Sequence, residues 1–363
     1  MRNRPILCFL VDDLSVEGIG GVACTRHLVA TLASECDLQL IPVSGFYPWK
    51  RLRSQWIRAA VMNVWLAFLR FPKGAFVVLD AAYARETCLA LRVWKIRSRV
   101  RMFGIVHHFT FNVKPQGAGR LLFHQCEKWF TAGMDEIFVN SRSTHDQVAA
   151  FLSVPVPIHR FWVPKPGGTA TSAKPRGRAP GSPIRFLFVG SVDSRKGADQ
   201  AAEAVIAYRG ERPIEFRLVG SVADWGGFSK RFADLLRTDV ERRITALGHL
   251  DANSLAKEFS QADAFLFPSH WEGYGMAVEE ALSNGLPVIT YNVGAVPELV
   301  DSENGWLVPD NDVAALAKAV AECAEDDTLR LRKSSCALAR AAELQAAREP
   351  MEAPFLRVFQ TSA

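Results

Sequence analysis

The chain has 363 residues, more than one hydrophobic core ordinarily spans, so two domains of usual size are expected. With 49% apolar and 22% charged residues it is neither a disordered nor a collagen-like chain. The net charge of +5 divides unevenly: residues 1–165 carry +10 and residues 184–363 carry −8. A basic half beside an acidic one points to a basic surface that meets something anionic, with nucleic acid, lipid headgroups and a phosphorylated acceptor all open at this stage.

Met1–Arg4 resembles the start of a secretory leader. The apolar run Ile6–Val11 that follows is short and ends in Asp12-Asp13, so it reads as a first buried strand. Further strands are expected over Leu38–Val43, Phe76–Leu79, Met102–Val106 and Glu136–Val139, with helices such as Val22–Ala33 and Leu52–Leu69 between them. A helix start is expected at Asn140 or Ser141. Residues 164–183 are rich in Pro, Gly, Ser and Thr and contain no acidic residue, the composition of a linker. Strands then resume at Ile184–Val189, Glu215–Val219, Ile244–Leu247, Ala264–Phe267 and Pro287–Ile289. This alternation predicts an α/β chain of two Rossmann-like domains facing across a cleft. The expected boundaries are a first domain over 1–165, a linker over 166–183, a second domain over 184–345, and a helix over 346–363 that crosses back to the first.

No apolar run reaches the ~18 residues of a membrane span; Ala59–Leu69, bracketed by Arg58 and Arg70, is too short. The seven cysteines are scattered, with no C-x-x-C pair, which argues against a disulfide framework or a zinc site and fits a reducing cytoplasm. Residues 48–73 combine Lys50, Arg51, Arg53 and Arg58 with Trp49, Trp56 and Trp65, and Arg92, Lys95, Arg97, Arg99 and Arg101 form a second basic cluster. Basic and aromatic residues together suit an anionic membrane surface, here the inner face of a membrane. The plain alternative is a long helix packed by Trp56, Val64 and Leu66. No nucleic-acid-binding module is recognisable, so no nucleic-acid partner is expected.

The richest passage is Phe267–Leu299, FPSHWEGYGMAVEEALSNGLPVITYNVGAVPEL. A strand ends at Phe267, and Glu272-Gly273-Tyr274-Gly275 leads into a helix beginning near Met276. Glycines at such a turn allow close backbone approach, and the free N–H groups of the helix start favour a diphosphate. Glu272 and Glu280, one in the turn and one inside the helix, can reach different hydroxyls of one extended ligand. Glu279 reads as an ordinary charged residue of the helix start. Val189-Gly190-Ser191-Val192-Asp193-Ser194-Arg195-Lys196-Gly197 repeats the strand, glycine loop and helix order.

The spacing of Glu272 and Glu280 resembles the E-x7-E region of retaining glycosyltransferases of family 4, which have the GT-B fold. Asn284-Gly285-Leu286-Pro287, Gly294-Ala295-Val296-Pro297-Glu298 and Asn304-Gly305-Trp306-Leu307-Val308-Pro309 fit the same pattern. The resemblance implies that Glu272 contacts the hydroxyls of a donor sugar and Glu280 the nucleotide ribose, with Gly273, Tyr274, Gly275 and Met276 lining the donor. It implies that Lys196, beside Gly190, Ser191 and Arg195, holds the departing diphosphate, where a fixed cation stabilises developing charge. That family commonly has Arg after the strand-end glycine where this chain has Ser191, and Arg195 is the candidate substitute. In the first half, Gly18-Ile19-Gly20-Gly21 resembles the family's glycine loop, so Gly20 and Gly21 are candidate donor contacts. His107, ahead of His108, stands where the family places a histidine near the donor sugar, and Asn140–Thr144 resembles another stretch near the cleft.

The implied activity is transfer of a hexose-type sugar from a UDP- or GDP-sugar to a glycan or lipid-linked acceptor, with retention at the anomeric carbon. Cell-surface polysaccharide, lipopolysaccharide or glycolipid synthesis is the expected setting. No cofactor beyond the nucleotide-sugar co-substrate and no metal is expected, because Asp12-Asp13 lacks D-x-D spacing. The alternatives are a GT-B sugar-nucleotide epimerase, or a non-catalytic protein of this fold that binds nucleotide or glycan.

Overall fold

A computed structural model describes residues 4–11, 20–42, 54–98, 100–113, 117–152, 155–164, 177–179, 181–223 and 226–362. The chain forms two compact units, Met1–Pro164 with Glu349–Ala363, and Lys165–Arg348. Trp49, Lys50, Arg51 and Arg53 of the basic segment, Gly18 and Ile19 of the first glycine loop, and most of the linker lie outside the described residues.

Unit 1 contains β1 (Ile6–Val11), β2 (Asp37–Pro42), β3 (Phe76–Asp80), β4 (Arg101–Val106), β5 (Glu136–Val139) and β6 (Ile158–Arg160). These form one parallel sheet in the order β2-β1-β3-β4-β5-β6. The central strands are near-continuous apolar runs, as a sheet covered by helices on both faces requires; every residue of β3 and β5 is buried. The helices are α1 (Gly20–Leu32), α2 (Gln55–Ala67), α3 (Ala84–Thr87), α4 (Ala90–Ser98), α5 (Ala118–Gly133) and α6 (Arg142–Phe151). Ser141 caps α6 by accepting the Thr144 N–H at 3.0 Å. In α2, Leu66 is buried and Trp56 packs on Phe123 at 5.1 Å between ring centroids, but Val64, expected to pack, is exposed.

Unit 2 contains β7 (Ile184–Val189), β8 (Ile214–Val219), β9 (Ile244–Gly248), β10 (Ala264–Leu266), β11 (Val288–Tyr291) and β12 (Gly305–Val308). They make a second parallel sheet in the order β12-β11-β10-β7-β8-β9. Its helices are α7 (Ala198–Ala207), α8 (Phe228–Leu236), α9 (Ala252–Gln261), α10 (Met276–Ser283), α11 (Val313–Glu325) and α12 (Asp327–Ala347). The final helix, α13 (Ala353–Ser362), belongs to unit 1, where Phe355 stacks on Phe138 at 3.9 Å and Phe359 lies 5.1 Å from Phe76.

The α/β class and the two Rossmann-like sheets match the pattern in the sequence. Two strands, β6 and β12, have no counterpart in that reading, because three or four residues at a sheet edge carry too little apolar pattern to signal a strand. The end of the linker-like segment is also fixed in place. Arg178 donates to both oxygens of buried Asp263, at 2.9 and 3.0 Å, which holds it on unit 2. In each sheet the chain steps to opposite sides of a first strand, between β1 and β3 in unit 1 and between β7 and β10 in unit 2. Ligands of doubly wound sheets gather at the carboxyl ends of the strands flanking such a point.

Candidate functional site

In unit 2 the loops after β7 and β10 meet beside that point. Gly197 begins α7 from the left-handed region, at φ +68°, and any Cβ there would collide with the Pro268 carbonyl. The two loops are therefore in backbone contact. The Arg195 carbonyl accepts the His270 N–H at 2.9 Å, and Asp193 Oδ1 accepts the Lys196 N–H at 2.8 Å. On the far side, Gly294 at φ +54° leaves no room for a Cβ against the Glu272 carbonyl, which accepts the Ala295 N–H at 2.9 Å. That contact explains why the Gly294–Glu298 turn accompanies the Glu272 loop in the sequence.

These backbone restraints bring Lys196 and Glu272 together, with Nζ to Oε1 at 2.5 Å. The Lys196 ammonium also lies 5.2 Å from the centre of the Phe267 ring. Both side chains are largely withdrawn from water, 17% and 10% exposed, so their attraction is weakly screened. Gly275, at φ +99°, starts α10 without a side-chain cap, so no side chain of the cap residue takes up the first N–H groups of the helix. Met276 opens the helix and Glu280 stands half-buried within it. Ser191 and Arg195 are exposed on the β7 loop, and Gly190 anchors that loop by donating to the Val219 carbonyl at 3.0 Å. Unit 2 thus gathers Gly190, Ser191, Arg195, Lys196, Glu272, Gly273, Tyr274, Gly275, Met276 and Glu280 on two adjoining loops and one helix.

Glu279 departs from the sequence reading. It is 3% exposed, accepts the Tyr274 hydroxyl at 2.8 Å and is ion-paired with Arg348. A charged helix-start residue was expected at the surface; here the position faces α12 and a guanidinium meets it.

In unit 1, His107 follows β4, and its Nε2 lies 3.3 Å from Oδ2 of Asp80 at the end of β3. Asp80 carries no signal in the sequence, because a lone aspartate ending a strand belongs to no motif. Burial drives the Asp80 carboxyl up, but the neighbouring His107 ring and the Ala82 N–H outweigh it and hold the group below the usual carboxylate range. The His107 ring stands edge-on to Phe161 at 5.7 Å, and its carbonyl accepts from Thr144 Oγ1 at 3.4 Å. Asn140–Thr144 therefore supports the His107 backbone while capping α6. His108 is exposed. Gly20 and Gly21 open α1.

Glu127 likewise carries no signal in the sequence. It is 1% exposed on α5 and accepts the backbone N–H groups of Thr110 and Phe111, in the turn just beyond His107. Burial raises its carboxyl from 4.5 to about 7, although both N–H donors oppose the shift. No cluster of three or more potential metal ligands occurs among the described residues.

Residues 183–326 match the family profile described as "Glycosyl transferases group 1". Over 225 residues the chain is 27% identical to a glycogen synthase of Mycobacterium tuberculosis, covering 60% of this chain and 52% of that one. The chain thus spans about half the length of that relative. It is 25% identical over 293 residues to the lipopolysaccharide core biosynthesis mannosyltransferase LpsB of Rhizobium meliloti, covering 74% and 79% of the two chains. Among solved structures it is similar to a sucrose-phosphate synthase from Thermosynechococcus elongatus, with a TM-score of 0.73 and 18% identity over 99% of this chain and 98% of that one. Anabaena HepE, solved with UDP and glucose, gives a TM-score of 0.66 at 16% identity, covering 98% and 99%. At these identities the structural likeness establishes the fold.

Glu127 generates a pH prediction. A carboxyl whose folded pKa is raised keeps a proton that the unfolded chain has released, so its contribution to stability is present below 4.5 and lost as pH rises through about 7. Denaturant unfolding across this range should show a loss on the order of 1–3 kcal/mol from this group. The loss should be flattened in Glu127→Gln; equal slopes for the two proteins contradict the assignment.

Proposed function

We propose that the chain is a retaining, nucleotide-sugar-dependent glycosyltransferase of the family 4 kind, using a UDP- or GDP-sugar. The carrying observation is the Lys196–Glu272 pair at 2.5 Å, set beside the open N-terminus of α10 at the carboxyl ends of β7 and β10. A cation and a helix start converge there on one anion, and two carboxylates flank the same loop. In this reading Lys196 and the first N–H groups of α10 bind the donor diphosphate. Glu272 accepts from hydroxyls of the donor sugar and Glu280 from the ribose. By the same resemblance His107, beside Asp80, is proposed as a contact of the donor sugar, and Gly20 and Gly21 as donor contacts.

No carboxylate is assigned as a nucleophile. The acceptor oxygen forms its bond to the anomeric carbon on the face from which the carbon–phosphate-oxygen bond breaks. The acceptor proton passes to the departing phosphate oxygen, and Lys196 offsets the charge that develops on the diphosphate. No metal is needed for that neutralisation.

The acceptor in this proposal is a glycan or lipid-linked sugar of cell-surface polysaccharide, lipopolysaccharide or glycolipid synthesis, reached from the inner face of a membrane. Its support is a set of exposed apolar side chains on three helices of unit 1, α2, α4 and α5. Phe68 at the end of α2, Ile96 on α4 and Leu121 on α5 are 71%, 82% and 72% exposed. Lys95 and Arg97 flank Ile96 in the sequence, and Arg120 precedes Leu121. Exposed apolar side chains set among cations suit an anionic bilayer surface. Wild-type protein should sediment with vesicles containing phosphatidylglycerol and not with phosphatidylcholine alone, and an Ile96→Asp, Leu121→Asp variant should remain in solution. Equal sedimentation of the two proteins contradicts the membrane surface.

The activity itself is tested by binding and transfer together. A thermal-shift panel of UDP, GDP, ADP and their sugar conjugates, with and without divalent metal, should give a metal-independent shift for one uridine or guanosine series. Glu280→Ala should abolish the shift. Lys196→Ala and Glu272→Ala should remain folded and lose at least a hundredfold in transfer, about 3 kcal/mol of transition-state stabilisation. Glu272→Gln should also bind the free nucleoside diphosphate severalfold more tightly, because it releases the Lys196 ammonium from its carboxylate partner. Nucleotide binding without transfer to any glycan or lipid acceptor would favour the non-catalytic reading, to which Ser191 in place of arginine is the one sequence pointer.

A further inference from the structure

We infer that Glu279 is a positioning residue for the donor loop, acting through Tyr274 and Arg348; the inference rests on the reading of unit 2 as a nucleotide-sugar site. The neighbouring positions of α10 that face the core are Val278, Ala281 and Leu282, all fully buried. Glu279 is a carboxylate placed among them at 3% exposure. Such a group has to be paired, since an isolated buried charge is strongly unfavourable.

Its two oxygens are divided between two other elements. Oε2 accepts from the Tyr274 hydroxyl at 2.8 Å, and Oε1 is ion-paired with Nη2 of Arg348, which itself lies 3.5 Å from the Tyr274 oxygen. Arg348 ends α12, which packs along α10. One carboxylate therefore ties together the donor loop, the helix that follows it and the end of α12.

The loop it holds is Glu272-Gly273-Tyr274-Gly275. Two of its four residues are glycines, so its backbone has few steric restraints of its own. Tyr274 is its one apolar anchor and is 5% exposed. Fixing the Tyr274 hydroxyl fixes the residue two places from Glu272, and Glu279 is itself adjacent to Glu280. The two carboxylates assigned to sugar and ribose thus take their relative placement from the group between them.

Stability alone does not require this arrangement. Replacing a buried ion pair by apolar residues of similar volume is often neutral or stabilising, whereas removing one partner is strongly destabilising. What an apolar replacement cannot supply is the directed hydrogen bond to the tyrosine hydroxyl.

That difference separates a positioning role from a structural one. The experiment measures melting temperature and nucleoside diphosphate affinity, with UDP and GDP as probes, for wild type, Glu279→Gln, Tyr274→Phe and the double variant Glu279→Leu, Arg348→Met. The expected result is a double variant that melts within a few degrees of wild type yet binds the diphosphate about tenfold more weakly. Tyr274→Phe should shift affinity in the same direction by a smaller factor. Glu279→Gln, whose amide oxygen still accepts from the tyrosine hydroxyl, should keep most of the affinity; if the double variant does not fold, Tyr274→Phe, which removes only the hydroxyl, carries the test. A folded double variant, or a folded Tyr274→Phe, with wild-type affinity overturns the inference and leaves the donor-site reading standing. Wild-type protein that binds neither diphosphate overturns the donor-site reading, and this inference with it.

Discussion

The site in unit 2 depends on a backbone contact that only glycine permits. At Gly197 the loop after β7 runs against the Pro268 carbonyl of the loop after β10, and at Gly294 a third turn closes on the Glu272 carbonyl. These approaches come before any side-chain chemistry. They fix where Lys196 and Glu272 leave the backbone, and so allow an ammonium and a carboxylate from positions 76 residues apart to pair at 2.5 Å. A left-handed N-cap with no side-chain acceptor then leaves the first N–H groups of α10 open beside that pair. Charge pairing and helix dipole coincide at one place because the strand order of the parallel sheet reverses there.

Unit 1 uses a different construction. His107 and Asp80 stand at the ends of adjacent strands, and their supports come from three directions: the Ala82 N–H on Asp80, the Thr144 hydroxyl on the His107 carbonyl, and Glu127 on the turn beyond it. Each support is a hydrogen bond from a different helix or turn. The Phe355 and Phe359 rings of α13 then seal the same sheet, although that helix follows unit 2 in the chain. Rigid elements carry His107 and Asp80, and buried polar contacts hold the turns beside them, the arrangement expected where geometry has to be kept.

Most of the fold could be read from the order of apolar runs, because buried parallel strands are continuous stretches of Val, Ile, Leu and Phe. Its failures were short: β6 and β12 are edge strands too brief to carry a pattern. The two passages that supply the unit 2 loops stood out because in each, around 189–197 and 267–280, a strand runs into a glycine-containing turn and a helix. Asp80 and Glu127 did not, since each acts on a group 27 or 17 residues away and nothing in their own neighbourhood signals it. Glu279 was legible and misread. Helical spacing could have placed it beside Val278 and Leu282 on the buried side, but its partner Arg348 lies 69 residues on, and pairings of that kind come from tertiary structure alone.

The measurement that bears most directly on the central claim is a structure of the protein with its preferred nucleoside diphosphate. The terminal phosphate is expected within hydrogen-bond distance of Lys196 Nζ and of the first N–H groups of α10, with the ribose hydroxyls on Glu280. A diphosphate bound away from the β7 and β10 loops, with the Lys196–Glu272 pair intact, contradicts it.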